Sequence, residues 1–264
     1  MYQAHSLSKQ QVKIILVETE TPGNLGATAR AMKTMGFTEL RLVKPKRAES
    51  RDALARAVNA EEILLAAPHF KSLSEAIADC TLVYGTSGQI ESLDQCKLTP
   101  RELASRLFST HASLTDDIGS QDSIAIVFGR ESSGLTRSEL ALCNAQVRIP
   151  SDPLCPSLNL ASAVQIICYE LSIACSADRP KILNARTRSH QEDDLATQTQ
   201  LELFLSTLES LAVEIGALDP YNPRQMMTHF RRLFLRAEPR TRELNLLLNV
   251  LKRTNQRIGS RRSP

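Results

Sequence analysis

Short runs of branched aliphatic residues alternate along this chain with longer runs whose apolar positions recur every three or four residues, and that alternation constrains the fold most strongly. Val12 to Thr19 reads as a strand, Leu25 to Met35 as a helix entered through the turn at Pro22-Gly23, and Glu39 to Val43 as a second strand closed by Pro45. Together they make one βαβ unit. The pattern continues with helices near Arg51 to Asn59 and Leu73 to Asp79, a strand Leu82 to Tyr84, a helix Pro100 to Phe108 and a strand Ile124 to Phe128. A short helix Arg137 to Cys143, a strand Gln146 to Ile149 and a long helix Leu158 to Cys175 complete it. The expected class is α/β, a parallel sheet with helices on both faces.

From Ser176 to Gln200 the periodicity lapses into polar residues with opposite-sign runs such as Arg186-Thr187-Arg188 and Glu192-Asp193-Asp194. This predicts a domain over residues 1–175, a linker over 176–200 and a small all-helical module over 201–264. In that module the apolar residues fall at helical spacing: Leu201, Phe204, Leu208, Leu211 and Ile215, then Phe230, Leu233 and Phe234, then Leu244, Leu247, Leu248 and Leu251.

The formal charge of +3 hides an asymmetry. Arg224 to Pro264 holds 11 Lys and Arg against 2 Asp and Glu, or +9, which leaves residues 1–223 with 21 against 27, or −6. The basic segment suits phosphate backbones or is a solvated helix surface. With 42% hydrophobic and 23% charged residues the chain is not intrinsically disordered. It has no apolar run near the roughly 20 residues of a membrane helix, and Met1 to Lys13 lacks the apolar core of a secretory signal. A soluble cytoplasmic protein is expected. The six cysteines include no C-x-x-C pair and lie away from the five histidines, so they read as reduced core thiols, with no metal site.

In an open parallel sheet ligands sit beyond the carboxyl ends of the strands. Four such loops here are unusual: Pro22-Gly23-Asn24-Leu25-Gly26-Ala27-Thr28-Ala29-Arg30, Gly85-Thr86-Ser87-Gly88, Gly129-Arg130-Glu131-Ser132-Ser133-Gly134-Leu135, and Ser151 through Asn159 after Ile149-Pro150. Neither G-x-G-x-x-G nor G-x-x-x-x-G-K-[ST] occurs, which excludes a dinucleotide fingerprint and a P-loop. Taken singly, Asn24 and Ser157 suit helix N-caps, Glu131 a surface carboxylate and Arg30 a solvated helix position.

Taken in order, three of these sequences resemble a known family. Gly23 through Arg30 running on to Met35-Gly36-Phe37, then Phe128-Gly129-Arg130-Glu131-Ser132-Ser133-Gly134-Leu135-Thr136, then Ser157-Leu158-Asn159-Leu160-Ala161 running on to Tyr169-Glu170, are similar to the motifs of the SPOUT-superfamily RNA ribose 2′-O-methyltransferases, in particular a bacterial tRNA-methylating branch. The resemblance spans Val12 to about Ser172. It resumes over Leu233 to Pro239 and Glu243 to Leu247, which look like that branch's C-terminal extension.

The resemblance implies a trefoil knot at the carboxyl end of the methyltransferase domain, a homodimer and S-adenosylmethionine as methyl donor. It implies cofactor-binding positions at Gly85, Thr86, Ser87, Gly129, Glu131, Ile149, Ser157 and Leu158, and a substrate site of Arg30, Asn24, Glu131, Ser157 and Asn159. The implied substrate is tRNA, methylated on cytidine or uridine 32 of the anticodon stem-loop, and no membrane or metal takes part. A guanidinium is too basic to take a proton, so the role that follows for Arg30 is to hold a phosphate and stabilise charge on the 2′ oxygen. The sequence departs from the family at Gly88-Gln89-Ile90-Glu91-Ser92, where relatives carry two arginines, and at Cys155-Pro156, where they often have a Tyr and a small residue. Two other readings remain: an rRNA 2′-O-methyltransferase of the same superfamily, or an inactive RNA-binding module of the same fold.

Overall fold

The computed structural model describes residues 8–46, 48, 50–88, 97–108, 122–176, 194–218 and 224–262. The chain divides into two compact units, Met1–Thr187 and Arg188–Pro264.

In the first unit the elements run β1 (Val12–Val17), α1 (Pro22–Thr34), β2 (Leu40–Val43), α2 (Arg51–Ala57), α3 (Glu61–Ala66), β3 (His69–Phe70), α4 (Leu73–Ala76), β4 (Leu82–Thr86), β5 (Lys97–Leu98), α5 (Pro100–Phe108), β6 (Ile124–Phe128), α6 (Arg137–Leu140), β7 (Ala145–Val147) and α7 (Leu160–Ser176). The seven strands form one sheet in the order β3-β2-β1-β6-β4-β7-β5 with every pairing parallel. The α/β class expected from the alternation is the one observed. Two late strands return between earlier ones: β6 enters between β1 and β4, and β7 between β4 and β5.

Side chains alternate across a strand, which divides the sheet into two buried faces. On one, Ile15, Val17, Val83, Ala125 and Val127 pack with Leu73 and Ile77 of the α4 segment and Leu140 of α6. The alternate residues Ile14, Leu16, Leu42, Tyr84, Ile124, Ile126 and Phe128 point the other way and are fully or almost fully buried. Helices α1, α2, α5 and α7 pack on one another, with Leu25, Ala29, Met32, Leu103, Val164 and Ile167 buried. Gly26 makes the α1–α2 approach possible, since a Cβ there would lie 1.9 Å from the carbonyl oxygen of Ala53.

Several boundaries differ from the sequence expectation for identifiable reasons. β1 stops at Val17, not Thr19, because Glu18 adopts φ 50. α1 begins at Pro22, not Leu25, since proline's fixed φ suits the first helical position. α2 ends at Ala57 because Val58 and Asn59 both take positive φ. β7 is Ala145–Val147 and α7 starts only at Leu160. The strands β3 and β5 and the helix α3 have no counterpart in the sequence expectation.

The second unit consists of α8 (Gln198–Glu214), α9 (Arg224–Ala237) and α10 (Thr241–Arg262). Leu201, Phe204 and Leu205 meet Leu235, Leu244 and Leu248 in its core, with Phe204 and Phe234 edge to face at 4.6 Å. Ile215, Leu233 and Leu247, expected to face inward, are exposed. Leu233 lies about 100° of helix rotation from Phe234, which puts it off the stripe formed by Met227, Phe230 and Phe234. Arg236, Arg242, Lys252, Arg253 and Arg257 are exposed, and Arg231 pairs with Glu202.

Candidate active site

β1, β6, β4 and β7 lie side by side at the centre of the sheet, so parallel pairing brings the loops beyond their carboxyl ends to one edge. The β6 loop doubles back on itself: the backbone amide of Arg130 donates to Gly134 O at 3.2 Å, and Gly134 N donates to Arg130 O at 2.9 Å. Only glycine fits at 129, where a Cβ would stand 2.1 Å from the carbonyl carbon of Gly134. Thr86 is tied to the neighbouring strand through its hydroxyl, which donates to Val127 O at 3.0 Å, and Ser87 N donates to Val147 O at 3.1 Å. A Cβ at Gly88 would lie 3.7 Å from Pro156 O, which sets the β4 loop beside the β7 loop.

Three of the expected site residues form one hydrogen-bonded chain. The Glu131 carboxylate accepts from the backbone amides of Glu20 (2.9 Å) and Thr21 (3.0 Å) and from Asn24 Nδ2 (3.0 Å). Asn24 Oδ1 accepts from Asn159 Nδ2 at 3.0 Å, and Asn159 Oδ1 accepts from the amides of Ala161 (3.0 Å) and Ser162 (3.4 Å). Asn159, not Ser157, therefore caps α7, and Asn24 sits inside the first turn of α1 instead of capping it. The chain joins the starts of two helices to the loop after β6 across 135 residues of sequence. Burial alone would raise the Glu131 pKa. The hydrogen bonds from Asn24 and from the Glu20 and Thr21 amides outweigh it and hold the carboxyl below its ordinary value, so Glu131 is an ionised anchor near neutral pH.

Next to Glu131, Arg130 of the same motif turns into a second cluster, with Glu18 and Glu139, whose pairing the motif does not indicate. Its Nε donates to Glu18 Oε2 at 3.0 Å, Nη1 to Glu139 Oε2 at 3.0 Å and to Gly134 O at 3.3 Å, and Nη2 to Glu139 Oε1 at 3.1 Å. Arg130 and Glu139 are each 16% exposed. Glu139 also accepts from the Thr136 amide at 2.7 Å in a capping box at the start of α6. The Arg130 bonds lower Glu18 directly and, against an opposing and larger effect of burial, help lower Glu139. The [ST]-x-x-[DE] spacing of Thr136 and Glu139 is a readable signal for the cap, but nothing in it points to Arg130.

Of the remaining expected residues, those of the β7 loop lie at the same edge without joining this network, and Arg30 lies about two turns along α1 from it. Ser157 and Leu158 are exposed in the loop before α7, and Ile149 is half-buried after β7. Arg30 is exposed on α1 and has no hydrogen-bond or ion-pair partner among the described residues. The Gln89 to Ser92 segment, where relatives carry two arginines, lies outside the described residues.

A wholly parallel sheet with polar loops gathered over its central carboxyl ends, followed by a second unit whose described residues form α8 and the basic helices α9 and α10, defines a class of α/β ligand-binding proteins. Residues 11–169 match the SpoU rRNA Methylase family, and the chain belongs to it; residues 199–263 match the C-terminal domain of the tRNA methyltransferase TrmJ. The chain is 39% identical over 249 residues to the tRNA (cytidine/uridine/adenosine-2′-O-)-methyltransferase TrmJ of Pseudomonas aeruginosa, covering 93% of this chain and 94% of that one. It is 41% identical over 246 residues, 92% and 95% of the two chains, to the tRNA (cytidine/uridine-2′-O-)-methyltransferase TrmJ of Cronobacter sakazakii. Among solved structures, TrmJ from Z. mobilis ZM4 superimposes with a TM-score of 0.74 at 27% identity, covering 92% of this chain and 98% of that one. A probable methylase family protein from Haemophilus influenzae Rd KW20 does so with a TM-score of 0.60 at 34% identity, covering 97% and 100%.

Proposed function

We propose that the protein is an S-adenosylmethionine-dependent tRNA ribose 2′-O-methyltransferase acting on cytidine or uridine 32 of the anticodon loop. The Glu131, Asn24 and Asn159 chain supports this reading most directly: it draws the three family motifs, dispersed in sequence, into one unit at the ligand-binding edge of the sheet. The tRNA substrate follows from the relatives' names and from the basic segment Arg224 to Pro264. We assign residues 1–175 as catalytic domain and 201–264 as tRNA-binding extension of a cytoplasmic enzyme; the stretch 176–200 read as linker is shorter than that, since α8 begins at Gln198 and Ala196 N donates to Pro239 O in the second unit.

The loop residues fit the cofactor. Leu158, 39% exposed, and Ile149 offer apolar surface for an adenine, and Gly88 faces Pro156 O with no side chain between the two loops. Backbone groups of Gly85, Thr86, Ser87, Gly129 and Leu158, with the Ser157 hydroxyl, would hold it, while Glu131 braces the loop. Bound there, it supplies a methyl group already activated on a sulfonium, and no metal is needed. The chain's own task is to orient the ribose and relieve the charge on its 2′ oxygen. Arg30, with no described partner to satisfy it, binds the flanking phosphate and stabilises the developing oxyanion, the hydroxyl proton passing to water. Glu131 is a poor proton acceptor in this scheme, because three donors already occupy its carboxylate.

The order β4-β7-β5 suits a chain threaded as a trefoil knot, and the exposed Tyr169 and Ile173 on α7 suit packing against a second copy in a homodimer. The function is tested by incubating the protein with methyl-labelled S-adenosylmethionine and unmodified tRNA transcripts, then mapping the label. Label on the ribose of nucleotide 32 is expected; label on a base, or on no RNA, rejects the proposal. Arg30→Ala is expected to abolish transfer with cofactor affinity within about threefold of the parent, as calorimetry would show, since an interaction made only in the transition state affects turnover and not ground-state binding.

A further inference from the structure

We infer that Arg130 is a positioning residue for methyl transfer, acting through Glu131 by locking the β6 loop between Glu18 and Glu139. This rests on the methyltransferase reading above. Arg130 and Glu131 are consecutive, yet each side chain is bound in a different cluster. The guanidinium is held in four hydrogen bonds to Glu18, Glu139 and Gly134 O, and the carboxylate in three to Glu20 N, Thr21 N and Asn24 Nδ2. Fixing the first fixes the peptide that carries the second.

The anchors are themselves fixed. Glu18 takes a left-handed backbone at φ 50, uncommon for a residue with a Cβ, and its amide donates to Val43 O at 2.8 Å, so its carboxylate leaves the end of β1 in a set direction. Glu139 is bound to the first turn of α6 through Thr136. Arg130 therefore ties the ends of β1 and β6 to the start of α6, and Glu131 carries that geometry through Asn24 to Asn159 and the start of α7. The guanidinium fork matters as much as the charge, because Glu139 is bound bidentately; one ammonium cannot reproduce both bonds and the one to Glu18.

The test is a double-mutant cycle of Arg130→Lys with Glu131→Gln, read as single-turnover methyl transfer to tRNA under enzyme excess. Misplacing a catalytic constellation by about an ångström costs up to about a hundredfold, so Arg130→Lys is expected to slow transfer by between about ten- and a hundredfold in the parent. In the Glu131→Gln background the same change is expected to cost less than about twofold, because the residue it acts through is already disabled. The side-chain amide resonance of Asn24, which donates to Glu131, is expected to shift in Arg130→Lys.

Equal losses in both backgrounds, or an unmoved Asn24 resonance, would overturn the inference. If Arg130→Lys does not fold, Glu139→Gln keeps one acceptor oxygen and is read by the same cycle and the same resonance. Asp79→Asn is the control: it breaks an ion cluster with Lys13 and Arg41 at the amino ends of the strands, and is expected to lower thermal stability without changing turnover. A parent protein that transfers no methyl to tRNA would reject the reading of function instead.

Discussion

Asn24 needs both halves of its carboxamide: Nδ2 donates to Glu131 and Oδ1 accepts from Asn159. Aspartate keeps the acceptor and replaces the donor with a second anionic oxygen 3.0 Å from Glu131. Losing a hydrogen bond to a charged group costs about 1.5–3 kcal/mol, and Asn24→Asp is expected to lose at least that at pH 7 in urea unfolding. The two carboxyls then share a site, and one folded pKa rises above its unfolded value. The deficit therefore shrinks on acidification toward pH 5, as protonation relieves the repulsion; a deficit that grows there would show that the two groups do not face each other. The parent shows the opposite sign. Glu131 has its folded pKa held below 4.5, so its stabilisation is present above that value and fades as the pH falls through the lower folded one. Glu131→Gln should flatten the acid limb of a stability profile below about pH 4.5.

At the scale of elements, glycines separate what the fold requires from what the ligand requires. Gly26→Ala would set a Cβ 1.9 Å from Ala53 O and force α2 away from α1, and Gly129→Ala would meet the Gly134 backbone at 2.1 Å. Each is expected to cost about 1–3 kcal/mol or more, measured by thermal or chemical unfolding, because backbone cannot yield as a side-chain tip can. Gly88→Ala meets nothing nearer than 3.7 Å. It is expected to leave stability within about 0.5 kcal/mol while weakening S-adenosylmethionine binding, since its methyl would stand between the two loops assigned to the cofactor. The elements legible in the sequence are those with enough length to show a period: β1, α1, β6 and α7 all come from runs that bury a whole face. His69–Phe70 and Lys97–Leu98 are two-residue edge strands with one partner each, too short to carry any alternation. Sheet order is illegible for a different reason. Apolar strands such as Leu82–Thr86 and Ile124–Phe128 are buried on both faces, and a hydrophobic run says that a strand is central without naming its neighbours. At the site the motifs point to Asn24, Glu131 and Asn159, whereas Arg130 pairs with Glu18 across 112 residues, a pairing that no local pattern encodes.

At the scale of the whole molecule the chain separates charge from chemistry. The unit with the motif loops is balanced, with 20 Lys and Arg against 20 Asp and Glu over residues 1–187, and the helical unit carries exposed Lys252, Arg253 and Arg257 on one stretch of α10 together with Arg236 and Arg242. A duplex or loop of RNA is bound chiefly through its phosphates, and each cation that displaces a counterion makes affinity fall more steeply with salt. If α10 supplies such cations, Lys252→Glu combined with Arg253→Glu and Arg257→Glu should weaken tRNA binding at low salt and reduce the log–log salt slope by about one for each phosphate no longer neutralised. S-adenosylmethionine affinity, measured by calorimetry without RNA, should not change, because none of the three residues belongs to the loops assigned to it. Transfer to saturating tRNA should keep its rate while the half-saturating concentration rises, as expected when binding shared by ground and transition states is removed. An unchanged salt slope would mean that the basic helix is only a solvated face, and that tRNA is gripped by the first unit, where Arg30 is one of several exposed cations.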